Sequence, residues 1–380
     1  MNAKLRNALG VLCIALPALL ITGCAGFWDP VTTSSTVTST TLSSGYFYGV
    51  DSATSQIVAF EIVSGTLTEI ASYAPPSAPL AIAMAPDNES LFVSTTSGIY
   101  SYSISDGELT LNSDAISSDP AVAMQVDAKS KWLIETSGTG YLYVIPVLAS
   151  SGQLDSSRSS SQIALSNGTV NQIAISPNDK YVFVACGTNG TLAFSFSSSS
   201  NTPLGSAAYA TVNPVNTSAG AALSVAVDPS TRMLYVGESS AVSSGGGLRA
   251  FTIGTSGTLT EITGSPRSSG GTGPYAILPK STGDYVYVAN WKGTSTGNIT
   301  GFAISESDSE YTLTKLSTAV ATGIEPMSLA EDSNQNFVLA VSRSGSPYFD
   351  AYFFDSSTAG QLDTTITSSS FPLSSLAAQH

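Results

Sequence analysis

From residue 45 onwards the chain repeats one pattern of roughly 40 to 50 residues, and this repeat limits the possible folds more than any other feature. Each unit begins with an apolar run, continues through a turn rich in Asp, Asn or Pro to a short strand rich in Tyr, Phe and Val, and ends with a Gly/Ser/Thr loop and further strands. Four short strands in a repeat of this length are typical of a β-propeller blade. The apolar runs that open the units are residues 79–85, 120–126, 170–176, 222–228, 274–279 and 326–330.

The two ends of the repeated region complement each other. The chain enters the pattern at residues 46–50, a second strand without a first, and residues 372–378 resemble the first strand at residues 79–85. We therefore predict that residues 372–378 pair with the first blade, which removes an open sheet edge. Counting this strand, residues 45–380 form an all-β, seven-bladed β-propeller of four-stranded blades with a continuous core. An open solenoid or two β-sandwiches would not explain the spare strand.

The N-terminus has the order of an export signal. Lys4 and Arg6 precede an apolar stretch that is too short to cross about 30 Å of hydrocarbon as a helix, and Leu-Ile-Thr-Gly then leads into Cys24. This arrangement resembles the lipobox of bacterial lipoproteins. The resemblance implies that residues 1–23 are a lipoprotein signal peptide and that Cys24 becomes a lipidated first residue, through which the protein contacts the membrane. The alternative is an ordinary signal peptide with an incidental cysteine.

Residues 24–44 follow as a Ser/Thr-rich tether with almost nothing to bury. The formal charge of −14 repels anionic head groups, so attachment depends on the acyl chains. In lipoproteins of diderm bacteria an Asp after the cysteine favours the inner membrane, so Ala25 favours the outer membrane. No later segment reaches about 18 consecutive apolar residues. The prediction is therefore an exported protein that is anchored by its lipid alone.

Charge and residue content exclude several classes of function. With 13 Lys and Arg against 27 Asp and Glu, the chain lacks the dense positive charge that nucleic-acid binding requires. Its only histidine is His380, so neither a His-based metal site nor a Ser-His-Asp triad is expected, and the sequence indicates no cofactor. Signal cleavage and lipidation leave Cys186 alone, which excludes an intrachain disulfide. We expect a monomer.

The repeats also resemble a known family. Residues 176–184 and 228–236 are similar to YVTN-type propellers and to the seven-bladed lactonase family, which includes 6-phosphogluconolactonase and carboxymuconate cyclase. The resemblance extends over residues 45–378 and implies a propeller that hydrolyses a lactone. The family's Gly-Pro-Arg-His and Tyr-Val-x-Asn-Glu phrases correspond to residues 273–276 (Gly-Pro-Tyr-Ala) and 287–291 (Tyr-Val-Ala-Asn-Trp), so Tyr, Ala and Trp replace Arg, His and Glu.

In a propeller the loops that follow the second strands meet around one mouth of the central channel, next to the loops that enter the first strands. Side chains at these positions are expected to be neighbours in space, although each could also be a solvated charge or a packed aromatic. Glu135 and Glu238 are candidate catalytic residues because a carboxylate can activate water. The candidate ligand-binding residues, which could stack on a ring or hold an anion, are Tyr275, Asn290, Trp291, Lys292 and Arg343.

These observations leave two hypotheses open. The first is a non-catalytic scaffold at the cell envelope that binds a protein or glycan through one propeller face, and it rests on the predicted lipid and the replaced Arg, His and Glu. The second, implied by the resemblance, is a lactonase-type hydrolase similar to 6-phosphogluconolactonase that acts on a sugar lactone. In it, Glu135 or Glu238 is the base and Arg343 or Lys292 holds the anion. The sequence alone favours the scaffold.

Overall fold

Short runs of β-branched and aromatic residues, separated by turns rich in Gly, Ser, Asp and Asn, give strands throughout the repeated region. The computed structural model describes residues 43–63, 66–112, 116, 119–155, 161–165, 169–243, 245–369 and 371–379. Within these ranges the chain forms 31 β-strands and no helix. The predicted signal peptide, Cys24 and the tether up to residue 42 lie outside the described residues.

The strands form seven antiparallel sheets, and each sheet is one blade. The first blade contains β1 (Ser43–Asp51), β2 (Gln56–Val63), β3 (Thr66–Tyr73) and β31 (Leu373–Ala378). The second contains β4 (Pro79–Met84), β5 (Ser90–Thr95), β6 (Gly98–Ser105) and β7 (Glu108–Leu111). The third contains β8 (Ala121–Val126), β9 (Trp132–Ser137), β10 (Tyr141–Leu148), β11 (Gln153–Leu154) and β12 (Ser161–Ala164).

The remaining four blades repeat the same strand order. The fourth contains β13 (Gln172–Ile175), β14 (Tyr181–Ala185), β15 (Thr191–Ser195) and β16 (Ala210–Val212). The fifth contains β17 (Ala221–Val227), β18 (Met233–Val242), β19 (Gly245–Ile253), β20 (Leu259–Glu261) and β21 (Arg267–Ser268). The sixth contains β22 (Gly273–Pro279), β23 (Tyr285–Lys292), β24 (Ser295–Ser307), β25 (Glu310–Lys315) and β26 (Val320–Ala321). The seventh contains β27 (Ile324–Glu331), β28 (Phe337–Ser344), β29 (Phe349–Phe354) and β30 (Leu362–Ser369).

The first strands of all seven blades stand around a central channel. Each contacts the first strand of the next blade, and the series β31, β4, β8, β13, β17, β22, β27 returns to β31. The sequence prediction of a seven-bladed propeller is therefore confirmed. The first strand is the inner edge of each sheet, so its unpaired main-chain groups face the central channel. The ring itself therefore keeps other chains away from them.

The ring closes by pairing the two ends of the described chain. β31 runs antiparallel to β1, with Leu376 opposite Gly49 and Ala378 opposite Phe47. Beyond the strand, the Gln379 amide N–H donates to the Tyr46 carbonyl at 3.0 Å, and the Tyr46 N–H donates to Oε1 of Gln379 at 3.2 Å. The predicted pairing of residues 372–378 with the first blade is confirmed, with the strand beginning at Leu373.

The core lies between the blades. Its buried residues fall into seven clusters, and each cluster joins the facing sheets of two neighbouring blades. At the closure between the seventh and first blades, the rings of Phe60 and Phe349 meet edge to face with centroids 5.2 Å apart. Aromatic pairs of this geometry stabilise a core beyond their buried area. The buried thiol of Cys186 belongs to the cluster between the third and fourth blades, where burial raises its pKa to about 12.

Buried aspartates fix several turns between first and second strands. Oδ1 of Asp127 accepts hydrogen bonds from the main-chain N–H groups of Lys131 and Trp132, at 2.7 and 2.6 Å. Asp332 accepts the equivalent bonds from Asn336 and Phe337, both at 2.6 Å. These turns set the direction in which each second strand leaves the first, and thus where the second strand ends at the opposite mouth of the channel.

Candidate active site

A cavity of about 760 Å³ occupies the central channel and is lined by residues from the first strands of all seven blades. It reaches the mouth where the second strands end, because Arg343 near the end of β28 contributes to its lining. This volume is in the range of pockets for small molecules. The cavity therefore places the predicted mouth next to a space that a ligand can fill.

The first strands carry a β-bulge at this mouth. In six blades the pairing between first and second strands slips by one residue at this end, for example between Pro274 and Ala276. A bulge re-aims the side chain of the extra residue, and it is tolerated here because the first strand is a sheet edge. Pro fits before the bulge in three of the blades because an edge position needs no amide donor. The residues at these bulges, all of which line the cavity, are Leu80, Val122, Leu223, Tyr275, Met327 and, in the first blade, Ser374 and Ser375.

Three polar side chains from the sixth and seventh blades meet at the rim of the cavity. Nη1 of Arg343 lies 3.8 Å from Oε1 of Glu325, with side-chain exposures of 54% and 26%. Tyr275 lies close enough to sense both charges: burial and then the negative charge of Glu325 raise the pKa of its hydroxyl, and Arg343 lowers it. The rim thus combines an acid, a fixed cation and a phenol whose proton is held at neutral pH.

The main chain at Glu325 has an unusual conformation. Its φ angle is 59°, in the left-handed region that favours glycine, although the residue carries a long side chain. Such a conformation costs about 1–3 kcal/mol and is found preferentially at functional sites. Glu325 lies between the residue pairs that join Ile324 to Ser344 and Pro326 to Ser342, so the flanking ladder holds it in place.

Trp291 forms the aromatic side of the rim. Its ring centroid is 6.1 Å from that of Tyr275, with the planes tilted by 46°. A Cβ atom at Gly273 would lie 3.0 Å from Cε2 of Tyr275 and 3.4 Å from Cβ of Trp291, so the glycine lets the two side chains approach. Lys292, the next residue, is exposed at the tip of the β23–β24 hairpin, opposite Ser295. The structure therefore brings Tyr275, Trp291 and Arg343 together and leaves Lys292 at the periphery.

Asn290 is buried behind this rim. Its Nδ2 donates to the carbonyl oxygens of Ser269, at 2.6 Å, and Val288, at 3.1 Å. These bonds attach β23 to the segment that leads into β22. The side chain predicted to bind ligand thus contacts main chain that positions Gly273 and Tyr275.

Glu238 is also fully buried, at the boundary between the fourth and fifth blades. Its Oε1 accepts from Nη1 of Arg249 at 2.7 Å, and its Oε2 accepts from the N–H of Val215 at 3.0 Å. Arg249 also pairs with Glu261 at 2.6 Å. Burial alone would raise the pKa of Glu261. Hydrogen bonds from Arg249 and Ser265, together with the charge of Arg249, outweigh burial and lower that pKa. Both oxygens of Glu238 are engaged in a structural network.

Glu135 lies in β9, opposite Met124 on one side and Tyr143 on the other, and is fully buried. Its charge adds slightly to the rise in the Tyr143 pKa to about 12, which burial and the hydrogen bond to Asp119 mainly cause. Among the described residues, none of Glu135, Glu238 and Glu325 lines the channel cavity itself, but Glu325 pairs with Arg343, which does. The acid that the structure does place at the rim is Glu325, which the sequence marks only as part of a loop entering a first strand.

With this geometry established, comparisons with known proteins become informative. The sequence profile described as "Lactonase, 7-bladed beta-propeller" matches residues 38–358. The chain belongs to this lactonase family. No curated protein is significantly similar to it in sequence.

Solved structures agree with the family's fold. A candidate 6-phosphogluconolactonase from Bacteroides uniformis superimposes with a TM-score of 0.69 at 18% identity, covering 87% of this chain and 98% of that one. The periplasmic gluconolactonase of Pseudomonas aeruginosa gives a TM-score of 0.67 at 18% identity, with coverages of 87% and 98%. A candidate 6-phosphogluconolactonase from Bacteroides fragilis gives 0.68 at 17% identity, with coverages of 92% and 99%. At these identities the likeness establishes the propeller fold of this lactonase-family chain.

The described part of the chain was also compared with the requirements of a metal site and of a membrane span. No cluster of three or more His, Cys, Asp or Glu side chains there is arranged to hold a metal ion. No helix within the same residues could cross a bilayer.

Proposed function

We propose that this lactonase-family propeller is an exported hydrolase of lactones whose active site is the rim formed by Tyr275, Glu325 and Arg343. The observation that carries the proposal is the pairing of Arg343 with Glu325 beside the bulged Tyr275, at the mouth of a ligand-sized cavity. Family membership supports the hydrolase hypothesis over the scaffold hypothesis, which depended on the missing Arg, His and Glu.

The rim supplies the groups that lactone hydrolysis needs. In that reaction the oxygen of water bonds to the lactone carbonyl carbon, the ring C–O bond breaks, and the product is an open hydroxy acid. Glu325 accepts the proton of the attacking water, and the permanently charged Arg343 stabilises the negative charge that develops on the carbonyl oxygen. The raised pKa keeps the Tyr275 hydroxyl protonated, so it can donate a hydrogen bond to the departing ring oxygen, which takes its proton from Glu325.

Replacing the family's Arg and His does not remove this chemistry. The position that carries Arg in the family's Gly-Pro-Arg-His phrase is Tyr275 here, and the cation comes instead from Arg343 on the neighbouring blade. The position of the family's Glu is Trp291, and the acid comes instead from Glu325. A site assembled from two blades in this way keeps one acid and one cation at the same mouth.

The test measures the hydrolysis of a panel of lactones by a protein of residues 25–380. This protein is exported on a signal peptide that does not direct lipidation. This part contains the whole closed ring and its core. We expect hydrolysis above the buffer rate, reduced at least about 100-fold in Glu325→Gln and Arg343→Met, the usual effect of removing a base or a charge-stabilising group. Glu310→Gln and Arg267→Met alter exposed residues that belong neither to the rim nor to the lining of the cavity, and they serve as matched controls. Turnover of every lactone at the buffer rate would overturn the proposal.

Export and lipid attachment at Cys24 are part of the same proposal and are supported by the order of basic start, apolar stretch and lipobox. The name of the Pseudomonas relative, a periplasmic gluconolactonase, is consistent with a role outside the cytoplasm. Ala25 favours the outer membrane. We expect Cys24→Ser to abolish processing and acyl labelling of the full chain, and normal labelling of that variant would contradict lipidation.

A further inference from the structure

Most of the bulges direct apolar side chains toward the central cavity. The bulges at Tyr275 and at Ser374 and Ser375 are polar, whereas the other four carry the aliphatic or thioether side chains of Leu80, Val122, Leu223 and Met327. Two of them are unusually exposed for their type, Leu80 at 39% and Val122 at 44%. Exposed apolar side chains gathered at the mouth of a cavity favour an apolar occupant that removes them from water.

Three amide side chains of the wall each bind the next blade through one of their polar atoms. Oε1 of Gln125 accepts from the N–H of Ile175 at 2.8 Å, and Oε1 of Gln172 accepts from Val225 at 2.9 Å. Nδ2 of Asn171 likewise donates to the carbonyl of Ala222 at 2.8 Å. These bonds connect the third blade to the fourth and the fourth to the fifth, and they fix the positions of the three amides.

Arg343 is the one charged residue among the described residues that line the cavity. A ligand that enters the channel therefore meets a cation and apolar bulge side chains at the same mouth. A sugar lactone would bring hydroxyl groups against these apolar side chains, and each hydroxyl group that loses water without a new partner weakens binding. An aliphatic substituent has no such requirement.

We propose that the substrates of this site are lactones with an aliphatic side chain, which lies against the bulge residues while the lactone carbonyl faces Arg343. This inference rests on the proposed hydrolase function and gives the class of its substrate. The bulge residues then determine specificity, and the rim residues carry out the reaction. Sugar lactones and phosphorylated sugar lactones are expected to be poorer substrates than an alkyl lactone of the same ring size.

The first experiment compares δ-valerolactone, its pentyl derivative δ-decalactone, and gluconolactone as substrates of residues 25–380. A buried methylene changes affinity by about fourfold, so five of them, even partly buried, should raise kcat/KM for δ-decalactone at least about tenfold over δ-valerolactone. Gluconolactone should be slower than δ-decalactone. A preference for gluconolactone, or equal rates with and without the pentyl group, would overturn the inference and leave the hydrolase proposal intact.

Variants at the exposed bulge positions test the wall directly. Leu80→Ser and Val122→Ser should each lower the ratio of the δ-decalactone rate to the δ-valerolactone rate by about threefold or more, as one or two apolar contacts are lost. Leu111→Ser is the matched control, because Leu111 is 45% exposed on β7 and lies outside the cavity lining. It should leave the ratio unchanged, and a ratio that is insensitive to both wall variants would contradict the assignment.

Binding of lactams tests the proposed apolar contacts independently of hydrolysis. δ-Valerolactam and its pentyl derivative have the shape of the two lactones but resist hydrolysis, so calorimetry reports affinity alone. We expect the pentyl lactam to bind at least about tenfold tighter, by the same methylene estimate, and Val122→Ser to reduce that advantage. Tighter binding without turnover of any lactone would reject the hydrolase and support the apolar channel, whereas equal binding of both lactams would reject the channel assignment.

Discussion

A Cβ atom at Gly49 would lie only 2.5 Å from Cδ1 of Leu373 and 3.1 Å from its Cγ. Gly49 belongs to the first described strand and Leu373 begins the last, so this contact is where the two ends of the ring meet. Leu373 is fully buried in the cluster between the seventh and first blades. Closure therefore depends on a glycine in one strand and a large side chain in the other.

Gly49→Ala should weaken closure because the new methyl group overlaps Leu373. Overpacking of this kind typically costs about 1–3 kcal/mol of unfolding free energy, and Leu373→Ala alone should cost about 2–5 kcal/mol by leaving a cavity. In the double variant the two losses should be clearly less than additive, since the alanine at 373 makes room for the methyl group. Urea denaturation of the four proteins measures this, and additive losses would show that the two residues do not share the space.

The sequence predicted this closure because the first strands follow a repeated pattern, and residues 372–378 match that pattern where the opening blade lacks a first strand. The bulges were harder to foresee. A single extra residue at Tyr275 or Met327 leaves the composition of the strand unchanged, and only the slipped pairing shows which side chain enters the channel. The Pro before Leu80, Tyr275 and Met327 was the one available signal.

Site residues were less predictable than blades because adjacent positions in a strand face opposite sides. Glu238 and Arg343 both lie near the end of a second strand, yet one is buried between blades and the other stands at the rim. Glu325 has a further reason to be missed: its left-handed conformation is a property of the folded strand, and nothing in the residue type indicates it.

Alkaline pH should unfold the ring. Burial, as the largest cause, raises the pKa of Tyr48, Tyr235, Tyr287 and Tyr352 above their ordinary value. Groups whose pKa is higher in the folded state contribute stability below their unfolded pKa, about 10, and that stability is lost as the pH rises further. Each tyrosine can remove up to about 1.4 kcal/mol per pH unit. Melting temperature measured between pH 8 and 11 should fall steeply above pH 10.

The tyrosinate absorbance provides the check on this cause. It should appear together with the loss of sheet signal in circular dichroism, since the buried hydroxyl groups ionise only on unfolding. Tyr287→Phe, which removes one buried hydroxyl and its bond to the Gly360 carbonyl, should make the decline with pH shallower even though it lowers stability at pH 8. Tyrosinate formation in a chain that keeps its sheet signal would contradict the assignment.

Asn290 is expected to act on stability more than on binding. Asn290→Asp would place a carboxylate against the carbonyl oxygens of Ser269 and Val288, which now accept from its amide. Two lost hydrogen bonds and a buried charge beside carbonyl groups should cost more than about 2 kcal/mol. Trp291→Ala, by contrast, should raise KM with a smaller effect on melting. A large KM change in Asn290→Ala at unchanged stability would show direct contact with the ligand.

The Glu238→Gln variant distinguishes a structural role of the Glu238 carboxylate from a role as catalytic base. The substitution removes the charge that faces Arg249 at 2.7 Å, in a pair whose side chains are 9% and 0% exposed. Breaking a buried pair from one side typically costs about 3–5 kcal/mol, and the remaining pair of Arg249 with Glu261 should keep this loss toward the lower end. Lys129→Met is the matched control, because Lys129 pairs with Asp179 at 3.4 Å while 51% exposed, and exposed pairs contribute about 0–1 kcal/mol.

Urea denaturation should show the large loss only for Glu238→Gln, while kcat/KM measured well below the melting temperature stays near that of the unmodified protein. A drop in kcat of about 100-fold or more with unaltered stability would instead identify Glu238 as the base.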